Sequence, residues 1–243
     1  MSRKIEVAAD ADMLGRAAAD LIVQRAQQAE GRFAIALSGG NTPRRLYETL
    51  ASEPWRSQMP WQGTQVFFSD ERFVPPDSPD SNYYLAEQTL LSRVPISSRF
   101  VHRVPTVDID PEDAAALYEG NIRDVFRAPL TATPQFDLIL LGMGADGHTA
   151  SLFPGTPALQ IEDRLVAANH VPQAGMWRIT FTYRLLNAAR CVVFLVEGES
   201  KAGVLRQVLQ EGDLPAASVA PAGDLIWMID RAAASQLPPS LLP

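Results

Sequence analysis

Five short apolar runs constrain this chain most: FAIALS (33–38), QVFFSD (65–70), FDLILLG (136–142), CVVFLV (191–196) and DLIWMID (224–230). Brief runs that are apolar almost throughout fit strands buried on both faces of a parallel sheet. Between them lie segments with helical spacing. Leu14, Ala18, Leu21, Ile22 and Ala26 predict an amphipathic helix over 11–28. Thr42 as N-cap and Pro43 in the first helical position predict a second helix, to about residue 52. Further helices are expected from about Asn82 to Leu91, over 111–127 and from about Glu199 to Gln210. The second of these opens with Pro-Glu-Asp, which puts acidic groups where the helix dipole favours them. LVAANH (165–170) and WRITFTY (177–183) read as two more strands, and the closing LPPSLLP as a frayed tail. Parallel neighbours need long crossovers, so this alternation predicts an α/β fold with helices covering both faces of a mainly parallel sheet.

A chain of 243 residues can bury a full core, and one domain over 1–243 is expected. Its 47% hydrophobic and 20% charged residues are ordinary for a globular protein. No apolar run approaches the roughly 18–20 residues that span a bilayer. The opening MSRKIEVAAD lacks the basic head, apolar middle and cleavage site of a secretion signal, so the cytoplasm is the expected compartment and no membrane partner is expected. Cys191 is the one cysteine, which leaves no internal disulfide and no Cys pair for a zinc site; within CVVFLV it reads as a buried thiol. The net charge of −7 provides no basic field to recruit nucleic acid. Nothing here sets an oligomeric state. Lys4 and Lys201 are the only lysines, against 19 arginines. That bias alone says nothing about function, but an anionic ligand would need local donors to outweigh the overall charge.

In parallel sheets ligands bind beyond the carboxyl ends of the strands. Four unusual segments fall there: SGGNTP, DER, GADGHTAS and GESK. Their convergence on one edge is a stronger signal than any of them alone. SGGNTP (38–43) runs a glycine loop into a helix start, so its N–H groups can point at an anion; a tight turn without a ligand is the alternative. It is neither a P-loop nor G-x-G-x-x-G, which disfavours a nucleotide. Lys201 precedes the stripe Val204, Leu205, Val208 and Leu209 on its inward face, where an anion would offset lost hydration and the opposing helix dipole; snorkelling to solvent is the alternative. His148, between glycines and beside Asp146, has the chemistry of a proton acceptor at neutral pH, against the plainer reading of a loop histidine bonded to backbone. His102 and His170 have no such setting. Among Asp70, Glu71 and Arg72, an acidic group could orient the imidazole and Arg72 could stabilise a carbonyl oxyanion, unless the three form a self-satisfied surface ion pair. One histidine without metal-ligand spacing disfavours a metal site, and no cofactor is expected.

Taken together, ALSGGNTPRRLYETLA, FFSDERFVPPDSPDSNY, FDLILLGMGADGHTASLFPG, RITFTYRLLNAARCVVFLVEGESKAGVL and PAASVAP closely resemble the 6-phosphogluconolactonase family, over about residues 33–230. That family shares a broader fold with glucosamine-6-phosphate deaminases. The resemblance implies a Rossmann-like three-layer sandwich and hydrolysis of 6-phospho-D-glucono-1,5-lactone to 6-phosphogluconate in the oxidative pentose phosphate pathway. It implies that Gly39, Gly40, Asn41 and Thr42 cradle the phosphate, completed by Arg178 and Lys201. It further implies that His148 is the base, with Asp70, Arg72 and Asp146 around it. In the deaminases the loop reads G-H-x-A-F-N-E-P, with a proton-transferring glutamate five residues after the histidine. Here that position is Phe153, which cannot move a proton.

Overall fold

In the computed structural model, which describes residues 3–242, the chain runs β1 (Arg3–Ala8), α1 (Ala11–Gln28), β2 (Phe33–Leu37), α2 (Asn41–Leu50), α3 (Trp55–Gln58), β3 (Thr64–Phe68), β4 (Asp70–Arg72) and α4 (Asn82–Thr89). It continues through α5 (Pro111–Phe126), β5 (Leu138–Leu141), β6 (Val166–Val171), β7 (Met176–Phe181), α6 (Tyr183–Ala188), β8 (Cys191–Val196), α7 (Ala202–Gln210) and β9 (Asp224–Asp230). Six strands form one sheet in the order β1-β9-β8-β5-β2-β3. Every neighbouring pair in it is parallel.

The apolar runs are buried on both faces because successive side chains point to opposite sides. Phe33, Ile35 and Leu37 of β2 join α1, α2 and α4 in one core, while Ala34 and Ala36 join α5, α6 and α7 in the other. The same alternation holds for Cys191, Val193 and Leu195 against Val192, Phe194 and Val196 in β8. Each large apolar side chain so buried contributes roughly 1.5–3 kcal/mol. Cys191 is fully buried, and burial pushes its thiol up to about 11. The three-layer α/β arrangement expected from the alternation is the one observed. No helix among the described residues is long and apolar enough to cross a membrane.

Three local expectations are corrected. The second strand does not run to Asp70: β3 stops at Phe68, and Asp70–Arg72 forms β4, which pairs antiparallel with β7 in a second sheet of order β4-β7-β6. The two strands read at 165–170 and 177–183 lie in this second sheet, because the short turn at 172–175 can return the chain only antiparallel. Thr42 does not cap α2; Gly40 does, with φ of 113°, so the helix starts at Asn41. Nor does LPPSLLP fray through its described part: Leu237 is buried and a 3-10 turn at Pro239–Leu241 lays Leu241 against the core. Pro243 lies outside the described residues. Strand β1 carries too little apolar pattern to be read from sequence, being an edge strand that among the described residues pairs only with β9.

The sheet order places β3 and β5 on opposite sides of β2. The chain after β2 turns into α2 on one face, and the segment after β5 packs Met143 and Leu152 against the other. A crevice therefore opens between these two strand ends, at the topological switch point.

Candidate active site

That crevice is a cleft of about 400 Å³ lined by Gly39, Gly40, Asn41, Thr42, Asp70, Arg72, His148, Arg178 and Lys201. Asp146 is outside the lining and contacts it through His148. All four segments singled out in the sequence therefore meet, together with Arg178, which position alone did not mark.

The glycine loop is shaped from beneath by α4. A Cβ on Gly39 would lie 1.8 Å from Oδ1 of Asn82, so only glycine allows the two to approach. Asn82 in turn donates from Nδ2 to the Asp70 carbonyl at 2.9 Å. Helix α2 begins without a side-chain cap, so its first-turn N–H groups at Asn41 and Thr42 open on the cleft.

Glu71 was grouped with Asp70 and Arg72 in the sequence, yet it faces away. Its buried carboxylate accepts from the N–H groups of Arg72 (2.8 Å), Asn82 (2.7 Å) and Tyr83 (2.8 Å) and from the Ser81 hydroxyl (3.0 Å). It thus fastens the start of α4, and burial raises its carboxyl above the ordinary value despite those four donors. Asp70 faces the cleft instead and accepts from Ser151 Oγ at 2.7 Å.

Arg72 and Arg178 are partners in the β4–β7 register. Phe73 on one side donates to Trp177, and Phe181 on the other donates to Ser69, which makes Arg72–Arg178 a non-hydrogen-bonded pair with closely approaching side chains. Both Nε atoms are buried and find no partner among the described residues. Of the seven buried side-chain polar atoms in that condition, five belong to residues lining the cleft: Ser38, Arg72, Asn82, Arg178 and Glu197. Buried polar atoms normally have partners, so the concentration of unpaired donors and acceptors here marks a place built for a polar ligand. Burial lowers Arg178 and Lys201 from their ordinary values, with Asp146 opposing the shift at Lys201.

His148 Nδ1 lies 2.5 Å from Asp146 Oδ1. The Nδ1–Cε1 edge of the ring faces Gly144, where a Cβ would sit 2.1 Å from both atoms, and His148 lines the cleft. Burial lowers the imidazole below its ordinary value, and Asp146 and Asp70 offset this only in part while Arg178 adds to it. At Asp146 burial acts upward, but the hydrogen bonds and charge of His148 win and hold it below the usual range. An ionised carboxylate can only accept, so the proton sits on Nδ1 and Nε2 carries the lone pair. Asp146, rather than Asp70, is thus the acid that contacts the ring. Among the described residues no group of three His, Cys, Asp or Glu side chains is arranged to hold a metal ion.

Sequence reasoning missed Asn82, Ser151 and Glu197. All three sit inside quoted motifs, but only their tertiary contacts mark them.

Comparison with known proteins places the chain in a family. A profile of the family described as glucosamine-6-phosphate isomerases/6-phosphogluconolactonase matches residues 9–227. A 6-phosphogluconolactonase of Nostoc sp. is 43% identical, with 98% of this chain and 99% of the relative covered. The Homo sapiens 6-phosphogluconolactonase is 40% identical, covering 96% and 93% respectively. The crystal structure of 6-phosphogluconolactonase from Thermotoga maritima superposes with a TM-score of 0.83 at 32% identity, over 95% of this chain and 100% of that one. The chain therefore belongs to the glucosamine-6-phosphate isomerase/6-phosphogluconolactonase family.

Proposed function

We propose that this protein is a cytoplasmic hydrolase, one catalytic domain over residues 1–243, that converts 6-phospho-D-glucono-1,5-lactone to 6-phosphogluconate in the oxidative pentose phosphate pathway. The observation that carries this reading is an imidazole tied through Nδ1 to Asp146 in the same cleft as two arginines whose buried Nε atoms have no partner among the described residues.

A lactone needs only water attack at its ester carbonyl, so one base and one electrostatic stabiliser suffice. His148 Nε2 takes a proton from water as the water oxygen bonds to C1. Arg72, or a nearby backbone N–H, stabilises the oxyanion. The tetrahedral species then collapses with cleavage of the bond from C1 to the ring oxygen. The imidazolium returns its proton to that oxygen, which becomes the C5 hydroxyl, and the new carboxylic acid ionises. Gly39, Gly40, Asn41 and Thr42, with Arg178 and Lys201, hold the phosphate, so binding energy remote from C1 is used for orientation.

The test is hydrolysis of freshly prepared lactone in EDTA, with spontaneous opening subtracted. Acceleration by the wild type and its loss in His148→Ala are expected. A folded wild type that binds 6-phosphogluconate without accelerating hydrolysis, or that releases ammonia from glucosamine 6-phosphate, overturns the reading.

A further inference from the structure

His148 and Phe153 are five residues apart, yet their rings are stacked. The chain reverses between them: Leu152 N–H donates to the Thr149 carbonyl at 2.9 Å, and Ala150 takes a positive φ of 48°. This tight turn is fastened to the second sheet at three points. Ser151 donates its hydroxyl to Asp70 at 2.7 Å and its N–H to Thr180 Oγ1 at 3.1 Å, and its carbonyl accepts from Asn169 at 2.8 Å. The Phe153 carbonyl is held by the Thr156 hydroxyl at 2.8 Å, and Phe153 is only 6% exposed. A phenyl ring on so fixed a backbone is a rigid platform.

The imidazole of His148 lies on that platform with 3.8 Å between ring centroids and 21° between planes. The guanidinium carbon of Arg178 lies 5.5 Å from the centroid of the same phenyl ring. Asp146 fixes the direction of Nδ1 within the imidazole plane, while Phe153 fixes the plane itself. The two contacts together leave Nε2 one direction in which to point. Neither does this alone, because a single hydrogen bond leaves the ring free to rock and a single stack leaves it free to spin.

We infer that Phe153 is a positioning residue for the reaction: its ring sets the plane of the His148 imidazole, keeps water from one face of it, and registers it against Arg178. The inference rests on His148 acting as the base. A face covered by hydrocarbon is a face not hydrated, which disfavours the imidazolium before substrate binds. The charged and titratable groups around the ring are Asp146 on its own loop, Asp70 from β4 and Arg178 from β7, with Lys201 beyond Asp146. Phe153 is the uncharged member of that surround. Its removal admits water without altering any charge.

The experiment compares Phe153→Leu, Phe153→Met and Phe153→Tyr with the wild type and His148→Ala. Folding is checked by circular dichroism, the pH–rate profile is measured, and the imidazole is titrated directly by NMR. Leu and Met are expected to lower kcat about 10- to 100-fold, as misplacement of a reacting group does, with a smaller change in KM. Both should move the acidic limb of the profile, and the NMR midpoint of His148, upward toward the ordinary histidine value near 6.5. Tyr keeps the ring and should restore most of kcat together with the wild-type midpoint. Folded Leu and Met variants with wild-type kcat and midpoint overturn the inference. So does a loss of kcat that Tyr shares, with no movement of the midpoint, since that pattern belongs to core packing alone. Activity surviving in His148→Ala overturns instead the assignment of the base, and the NMR titration distinguishes the two failures because it needs no substrate.

Discussion

Arg72 and Arg178 stand directly opposite each other across β4 and β7, with both Nε atoms buried and without a partner among the described residues. Like charges directly opposite each other in a sheet are destabilising. A sheet that kept them for stability alone would gain by losing one. An anion between or beside them reverses the sign, since each charge-assisted hydrogen bond contributes about 1.5–3 kcal/mol. Arg178→Met is therefore expected to leave the melting temperature of the ligand-free protein unchanged or slightly raised. The same change should raise KM for the phosphorylated lactone about 10- to 150-fold, the factor those energies imply. Thermal melts with and without 6-phosphogluconate check both halves. A variant that melts much lower and binds normally would make Arg178 a structural residue.

The contact between His148 and Asp146 fixes a pH dependence. Burial lowers the imidazole below its ordinary value near 6.5, so the acidic limb of kcat/KM should have its midpoint below that value and the base should be fully available at neutral pH. The same shift has a stability consequence. Between the folded and unfolded values the unfolded chain binds more protons, so the contribution of this group is full above about pH 6.5 and is lost as pH falls through the folded value. Asp146→Asn removes a group that raises the imidazole, so the acidic limb should move lower still. The plateau should also fall, by about 10²- to 10⁴-fold, because an amide donating to Nδ1 puts the ring proton on Nε2 and blocks the acceptor. A pH–rate profile of the variant measures both effects.

Glu71 answers to a different readout. Its carboxylate receives three backbone N–H groups and the Ser81 hydroxyl at the start of α4. Glu71→Gln offers one acceptor oxygen and turns an NH₂ toward donors. Leaving a buried donor unsatisfied costs about 1–3 kcal/mol. At roughly 2–4 °C per kcal/mol for a chain of this size, the melting temperature should fall by several degrees. Since α4 carries Asn82 against the glycine loop, KM should rise as well. Thermal denaturation and steady-state kinetics check the pair, and an unchanged melting temperature would remove Glu71 from the framework.

What could be read from the sequence follows physical lines. The runs FAIALS, FDLILLG and CVVFLV betray buried parallel strands because both faces of each must be apolar, and so their carboxyl ends could be aligned. That alignment was enough to bring His148, Lys201 and the glycine loop to one edge. β1 escaped because an edge strand needs little apolar pattern. DER escaped because three polar residues carry no strand signal, although their pairing with β7 is what brings Arg72 to Arg178. Acids were harder to assign than cations. Asp70 and Glu71 are adjacent in sequence but alternate in β4, so one lines the cleft and the other caps a helix. The proposed base was legible from its glycines and Asp146; the ring beneath it was not, since nothing in H-T-A-S-L-F states that the chain reverses.

The approach of Gly39 to Asn82 gives a test of how the cleft is assembled. A methyl group on Gly39 would meet Asn82 Oδ1 at 1.8 Å, far inside contact distance, so either the loop or α4 must shift. Asn82 cannot yield easily, because its Nδ2 is tied to the Asp70 carbonyl and its N–H to Glu71. The glycine loop is the more movable side, being open to the cleft and without a side-chain cap. Gly39→Ala is therefore expected to displace the N–H groups at Asn41 and Thr42 and raise KM at least tenfold, with a loss of stability of about 1–3 kcal/mol from overpacking. Asn82→Ala removes the obstruction but leaves the Asp70 carbonyl without its donor, and should carry a defect of its own. In the double variant the steric part of the Gly39→Ala cost disappears. The summed single effects on melting temperature should accordingly exceed the double effect, with a coupling of about 0.5–3 kcal/mol. Strict additivity would mean that the two residues do not press on each other, and that the glycine loop owes its shape to its own sequence.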